Sequence, residues 1–292
     1  MIPAFLNTRI NDPDRVAGAL EATGAFQIHR LPAERIPDEV ARAVAAGARR
    51  VVAAGGDGTI AVVAAAVAGT HVELAVVPAG TLNHFAKDNG VPEDLEAACE
   101  LAARGTTIRA VDAAWVNGRL FLNTSSVGVY ANFVKGREKW EPRFGYWIAS
   151  TISILRNWFR VRPFSVWFSA NGEERPYQTP LVFIGVGERE LKLPTLGNRV
   201  DDGRSGLHVM IVRGRTRARL VALSFAAAAR GVRAVSRTPH LDSMVVDRCR
   251  VEQRHETLAV DGEIIRMPSP LQYQFARGAL RLVVPMKERG EG

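Results

Sequence analysis

Cysteine is nearly absent from the chain. Cys99 and Cys249, the only two in 292 residues, give neither a disulfide framework nor a zinc pattern. A reducing compartment such as the cytoplasm fits that usage. The six histidines are scattered, with no pair at metal-ligand spacing. Long apolar runs are missing too. Val51–Ala68 and Leu220–Ala229 are the most apolar windows, and both are too short or too glycine-broken to span a bilayer. The opening residues, MIPAFLNTRINDPDR, lack the basic-then-apolar order of a secretory leader. No repeat period, low-complexity tract or long disordered tail is visible. These absences point to a soluble protein or one bound to a membrane only at its periphery. Lysine is also scarce, since only five of the 38 basic residues are lysine. The net charge of +8 suits an anionic partner, but an arginine-rich codon bias would produce it as well. No nucleic-acid-binding motif accompanies the charge, so nucleic acid is not expected as a partner.

What is present is ordinary globular composition, 47% hydrophobic and 23% charged, and enough chain for two modest domains. Residues 13–48 read as helix, strand candidate (25–29) and helix. Arg49–Ala54 reads as a buried strand and Thr59–Val67 as a helix without a polar face. Leu74–Val77 is a second buried strand ended by Pro78. Short helices follow at Leu82–Asn89, stopped by Gly90, and at Glu93–Arg104. This alternation predicts a parallel sheet covered on both faces. Beyond residue 110 the pattern changes. AAWVNGRLFLNTS holds two apolar runs around Asn117-Gly118, a hairpin signal. Strand-like stretches recur at 164–169, 180–187, 207–212, 244–251, 257–265 and 271–284. Only Phe144–Phe159 and Thr216–Val235 look helical. The second half is expected to be mainly antiparallel.

Two loops carry the chemistry. In VVAAGGDGTIAVV, the residues Gly55, Gly56, Asp57, Gly58 and Thr59 join a strand to a helix, and such a loop aims backbone N–H groups at an anion. Taken alone, Asp-Gly is also a plain turn dipeptide. VVPAGTLNHFA repeats the design with Gly80, Thr81 and Asn83 at the next strand end. Two Gly-Thr loops on the same sheet edge make a phosphate-sized crevice, where open α/β sheets bind ligands.

GGDGT followed by PAGTLNHFA resembles the diacylglycerol kinase-like lipid kinase family, which includes bacterial diacylglycerol kinases and the catalytic domains of sphingosine and ceramide kinases. VDAAWVNGRLFLNTSSVGVYANF, RFGYWIASTISIL, VDDGRSGLHVMIV, LAVDGEII and SPLQYQFARGALRLVVP resemble later motifs of that family in order, so the likeness covers about residues 48–286. It implies a Rossmann-like α/β ATP-binding domain over 1–111, rejoined by about 281–292 as the last strand returns. A β-sandwich lipid-substrate domain over 112–280 follows, with the active site in the cleft between the domains. It further implies ATP and Mg2+ as cofactors, with transfer of the γ-phosphate to a lipid hydroxyl. Diacylglycerol giving phosphatidic acid is the leading acceptor. A sphingoid base, another lipid or a soluble NAD-like acceptor is an alternative, as is a degenerate nucleotide-binding regulator.

By the same resemblance Asp261 is the candidate base, with Glu263 near the metal or nucleotide and Asp112 in the metal-water network or supporting Asp261. If 261–263 were strand, Asp261 and Glu263 would share a face. A hairpin turn at Asp261-Gly262 is the plainer reading of the bare residues. Asp57 makes sense beside phosphate if Mg2+ lies between them, because Mg2+ takes one or two carboxylates plus phosphate oxygens. Asn7 is expected on the nucleotide side, and Asp202 as a ligand of a second, structural metal.

The chain also departs from the family pattern. LNTRIND keeps only Asn7 of the family's Asn-Pro-x-Ser-Gly. Ala61 and Val62 stand where many members have Asn-Glu, and His84 where many have an acid. A lipid acceptor implies work at the inner face of the membrane. Ile154–Phe168, which interleaves Trp158, Phe159, Trp167 and Phe168 with Arg156, Arg160 and Arg162, suits a headgroup interface, though Ser165–Phe168 also reads as a core strand. RGRTRARL with Arg230, Arg233 and Arg237 could attract anionic phospholipid headgroups, or simply face solvent. A homodimer is left open.

Overall fold

The computed structural model describes residues 1–128, 163–191, 196–200, 203–213, 241–254 and 256–286. The helices expected at Phe144–Phe159 and Thr216–Val235, Asp202, and most of the aromatic and arginine-rich segments lie outside the described residues. The chain divides into two compact units, Met1–Ala113 with Arg277–Gly292, and Ala114–Ala276.

The first unit alternates strand and helix: β1 (Ile2–Asn7), α1 (Pro13–Ala22), β2 (Phe26–Leu31), α2 (Ile36–Ala45), β3 (Arg50–Gly55), α3 (Asp57–Val67), β4 (Glu73–Pro78), α4 (His84–Asp88), α5 (Leu95–Arg104) and the start of β5 (Ile108–Val116). Local rules account for the helix starts. Asp12 accepts from Arg15 N–H at 3.1 Å with Pro13 following, and Asp94 accepts from Ala97 N–H at 2.9 Å. The strands pair in parallel in the order β2-β1-β3-β4. Residues 51–55 are buried without a break, as expected for a strand covered on both faces. Ala4, Leu6, Val52 and Val77 face α1 and α5, while α2 and α3 pack on each other and on the strands. β3 and β4 are neighbours in register, with Gly55 opposite Pro78. Both glycine loops therefore leave the same sheet edge side by side.

The second unit continues with β6 (Arg119–Phe121), β7 (Thr124–Gly128), β8 (Phe164–Ala170), β9 (Glu173–Thr179), β10 (Leu181–Val186), β11 (Arg189–Leu191), β12 (Leu196–Arg199), β13 (Leu207–Val212), β14 (Leu241–Val246), β15 (Arg248–Gln253), β16 (Thr257–Val260), β17 (Glu263–Arg266) and β18 (Leu271–Val283). One sheet runs β18-β15-β8-β9 and the other β14-β13-β10-β7-β16-β17, all antiparallel. Val166, Phe168, Val182, Ile184, Val209 and Tyr273 pack in one core drawn from both. The far end of β18 belongs to the first unit, where Arg281 and Leu282 pair in parallel with Glu73 and Leu74 of β4.

Two stretches differ from the strand reading. The 244–251 run is two strands, β14 and β15, which break at Asp247 and belong to different sheets. The 257–265 run is a hairpin, with Asp261 at φ 46° and Gly262 at φ 85°. Asn117-Gly118 forms the expected turn of the same kind, at 45° and 83°.

Candidate active site

The two glycine loops of the first unit touch backbone to backbone. A Cβ placed on Gly80 would lie 2.6 Å from Gly56 Cα and 2.9 Å from Asn83 Oδ1. A Cβ on Gly55 would lie 2.6 Å from Thr59 Oγ1. None of these glycines has a positive φ. Their lack of a side chain serves close approach, not an unusual turn.

Polar side chains then fix the loops. Asn83 is the N-cap residue of α4 by position, in the left-handed region at φ 51°, but it does not cap that helix. Its Oδ1 accepts from Gly80 N–H at 2.9 Å and its Nδ2 donates to Gly80 C=O at 3.0 Å, closing the second loop on itself. Asp57 supplies the cap. Its Oδ2 accepts from His84 N–H at 3.1 Å and its Oδ1 from Phe85 N–H at 3.0 Å. The carboxylate inside an apparent anion cradle thus joins the first loop to the second. Asn7, at the end of β1, donates from Nδ2 to the buried Thr59 hydroxyl at 2.8 Å and accepts from Arg9 N–H at 3.0 Å. Asn7, Gly55–Thr59, Gly80 and Asn83 form one connected set, and Thr81 is exposed beside Gly80. No side chain caps the N-terminus of α3. Asp57, Gly58 and Thr59 make up its first turn, the position where a phosphate binds a helix end.

Asp112, on β5, accepts from Gly278 N–H at 2.9 Å and ties β5 to the returning segment. In the second unit Asp261 occupies the β16–β17 turn. Its carboxylate accepts from Leu122, Asn123 and Thr124 N–H at 2.8, 2.8 and 2.9 Å, and its own N–H donates to Thr124 C=O at 2.8 Å. Glu263 lies one residue past the turn, half-exposed, 2.7 Å from Arg119. Because 261-262 is a turn, the shared strand face anticipated for Asp261 and Glu263 does not exist. Among the described residues no three His, Cys, Asp or Glu side chains gather as a metal cluster. His84 is exposed at the start of α4. The tie of Asp57 to residues 84 and 85 had no local signal, because it spans 27 residues.

Residues 9–116, which carry both loops, match the family model of the diacylglycerol kinase catalytic domain. Over that stretch the chain is similar to the catalytic domain of diacylglycerol kinase-like lipid kinases. A protein of Pseudomonas aeruginosa named "Probable lipid kinase YegS-like" is 47% identical over 98 residues, 33% of this chain and 31% of that protein. A protein of the same name from Cronobacter sakazakii is 45% identical over 94 residues, 30% of this chain and 31% of the relative. The matched chain thus spans about a third of the length of these curated relatives. The likeness in fold is wider. A crystal structure of a diacylglycerol kinase from Bacillus anthracis str. Sterne covers 97% of this chain and 96% of its own, with TM-score 0.67 and 16% identity. Another chain from the same strain covers 97% of both, with TM-score 0.73 and 18% identity. The diacylglycerol kinase-like fold therefore extends over both units, while sequence kinship is concentrated around the glycine loops.

Proposed function

We propose that the protein is an ATP-dependent lipid kinase that transfers the γ-phosphate to a lipid hydroxyl, with diacylglycerol as the leading acceptor and phosphatidic acid as product. The observation that carries this reading is the pair of glycine loops on adjacent parallel strands, packed without side chains between them beside an uncapped helix start. That arrangement suits the phosphates of a nucleotide. The names of the relatives support a lipid as acceptor.

The donor set has a bearing on Mg2+. Each Asp57 oxygen already holds one backbone N–H. A carboxylate offers about four lone-pair sites, so Asp57 keeps capacity toward a water of a nucleotide-bound cation. A cation bound to the nucleotide would neutralise charge on its phosphates. Asp57 and Asn83 hold the two loops at fixed separation, and Asn7 orients the Thr59 hydroxyl.

For the proton of the attacking hydroxyl, the candidates are Asp261 and Glu263. Asp261 gives its lone pairs to three N–H groups and so orders the 122–124 segment. Glu263 faces solvent and a single arginine, which leaves it the freer of the two to accept a proton. The test is incubation with γ-labelled ATP and micellar diacylglycerol, sphingosine, ceramide and phosphatidylglycerol, with NAD as the soluble control. Label in a lipid extract is expected. Bound ATP with no labelled lipid across the panel, or label on NAD alone, overturns the reading.

A further inference from the structure

A cavity in the second unit holds none of the candidate active-site residues. It is an open groove of about 750 Å³ on the outer face of the β18-β15-β8 sheet. Its two rims are Asn-Gly turns, Asn117-Gly118 after β5 and Asn171-Gly172 after β8, the latter at φ 53° and 80°. The first rim is rigid. Asn117 accepts from Gln272 N–H at 2.7 Å and donates to Pro268 and Pro270 C=O, both at 3.1 Å.

The floor follows from the period of two along each strand. Arg248 and Arg250 project from β15, opposite Gln274 and Gln272 of β18, and Ser169 of β8 lies on the other side of Arg250. Trp115 also lines the groove. No carboxylate lines the groove. Arg248 is exposed, and no hydrogen bond or ion pair holds it among the described residues. Arg250 is 2.9 Å from Glu252, one pleat outside the groove, in a half-exposed pair that water screens and a stronger anion can replace. Two guanidiniums among amides, a hydroxyl and an indole suit a phosphate that carries a polyol.

Trp167 decides between a ligand in solution and a surface. It lies on the same face as Ser169, two residues along β8, and its side of the strand is solvent-facing while Val166 and Phe168 fill the core. It is 49% exposed, one of three large apolar side chains exposed among the described residues. Its cross-strand neighbour is Glu252, the partner of Arg250, so the indole stands one pleat from the two arginines. An exposed indole at that remove from paired guanidiniums suits a headgroup interface. We infer that this groove is a docking site for the phosphate-bearing headgroups of an anionic bilayer, with Arg248 and Arg250 on the phosphates and Trp167 at the level of the headgroups.

The inference is independent of phosphotransfer and is tested without ATP or acceptor. The whole chain is sedimented with phosphatidylcholine vesicles that contain or lack phosphatidylglycerol. Binding is expected only with phosphatidylglycerol, falling as salt rises. Arg248→Ala and Arg250→Ala should each weaken it roughly fivefold, and the double variant about thirtyfold. The double lysine variant should keep most of the binding, and Trp167→Ala should weaken it without changing the salt dependence. Binding that the double alanine variant retains in full overturns the inference. So does wild-type protein that ignores phosphatidylglycerol. Glycerol phosphate that protects Trp115 fluorescence from quenching while vesicles do not bind assigns the groove to a soluble ligand and overturns the bilayer as occupant.

Discussion

At the scale of single residues, the account rests on one contact that leaves no room and on one side-chain cap. Gly80→Ala puts a methyl group 2.6 Å from Gly56 Cα, so the loops must separate. Overpacking of this kind costs about 1–3 kcal/mol, and about 1.4 kcal/mol is a factor of ten. ATP affinity, measured by calorimetry, should fall about tenfold or more while the circular dichroism spectrum is unchanged. Asp57→Ala removes the acceptor for two N–H groups of α4, and loss of a helix cap costs about 0.5–2 kcal/mol. Its melting temperature should drop measurably even without nucleotide, an effect a purely metal-binding aspartate would not show. Asp261→Asn turns an amide toward N–H groups that need an acceptor and should destabilise the second unit. Glu263→Gln should leave stability within error and lower turnover. If Glu263→Gln turns over at the wild-type rate, proton acceptance does not belong to Glu263.

The same residues show what a sequence can reveal. Gly56 and Gly80 were legible as loop glycines because strand, glycine and helix follow one another locally. Asp57 as the cap of α4 was not. The local rule selects Asn83, and nothing within four residues of α4 points to an aspartate 27 positions earlier.

At the scale of elements, the first unit depends on how its helices end on its strands. Arg50 of β3 pairs with Glu73 of β4 at 2.7 Å and donates to the carbonyls of Ala102 and Gly105 at 3.0 and 2.7 Å, at the C-terminal end of α5. It serves as the cation that the end of a helix favours. Arg50→Met leaves those carbonyls and Glu73 without a partner. It should cost about 2–4 kcal/mol in urea unfolding, more than Glu73→Gln.

In the second unit His208 of β13 accepts from Arg189 N–H through Nδ1 at 3.0 Å, so Nε2 carries the hydrogen toward Ser243 Oγ at 2.8 Å. This tautomer cannot activate the serine and marks a structural pair. Burial holds His208 below the usual imidazole range, against the raising effect of Glu188. Below about pH 6.5 the unfolded chain takes up a proton that the folded chain resists. Stability should therefore fall as pH drops from 7 to 5, and His208→Asn should flatten that dependence in urea melts.

Element reading from sequence worked where a stretch was buried on one or both faces. It missed β9, whose EERPYQT stretch exposes its first four residues, because an edge strand needs no apolar alternation. It also merged β14 with β15, because both are strand-like and Asp247 alone separates them.

At the scale of the whole molecule, the first unit is discontinuous in sequence. Leu280, Leu282, Val283 and Val284 are buried, and Arg281 and Leu282 pair with β4. A fragment ending at Ala113 exposes the β4 edge and loses that apolar cover, so it should fail to fold. The same fragment with residues 277–286 joined by a flexible linker should recover dispersed amide resonances. Cys99 and Cys249 report on both units at once. Burial pushes their thiols up to about 11 and about 12, so neither should react with a thiol reagent at pH 8 until denaturant is added.

The division into an alternating and an antiparallel half was legible because the hydrophobic period changes near residue 110. The order of strands within the second unit was not, since antiparallel strands of similar composition can pair in many ways. The central claim is that the glycine loops serve phosphate transfer to a lipid. Extraction of lipid after incubation with γ-labelled ATP and diacylglycerol tests it most directly. The account predicts labelled phosphatidic acid from the native protein and little from Gly80→Ala. Label confined to ATP and inorganic phosphate, with ATP bound and diacylglycerol unchanged, would contradict it.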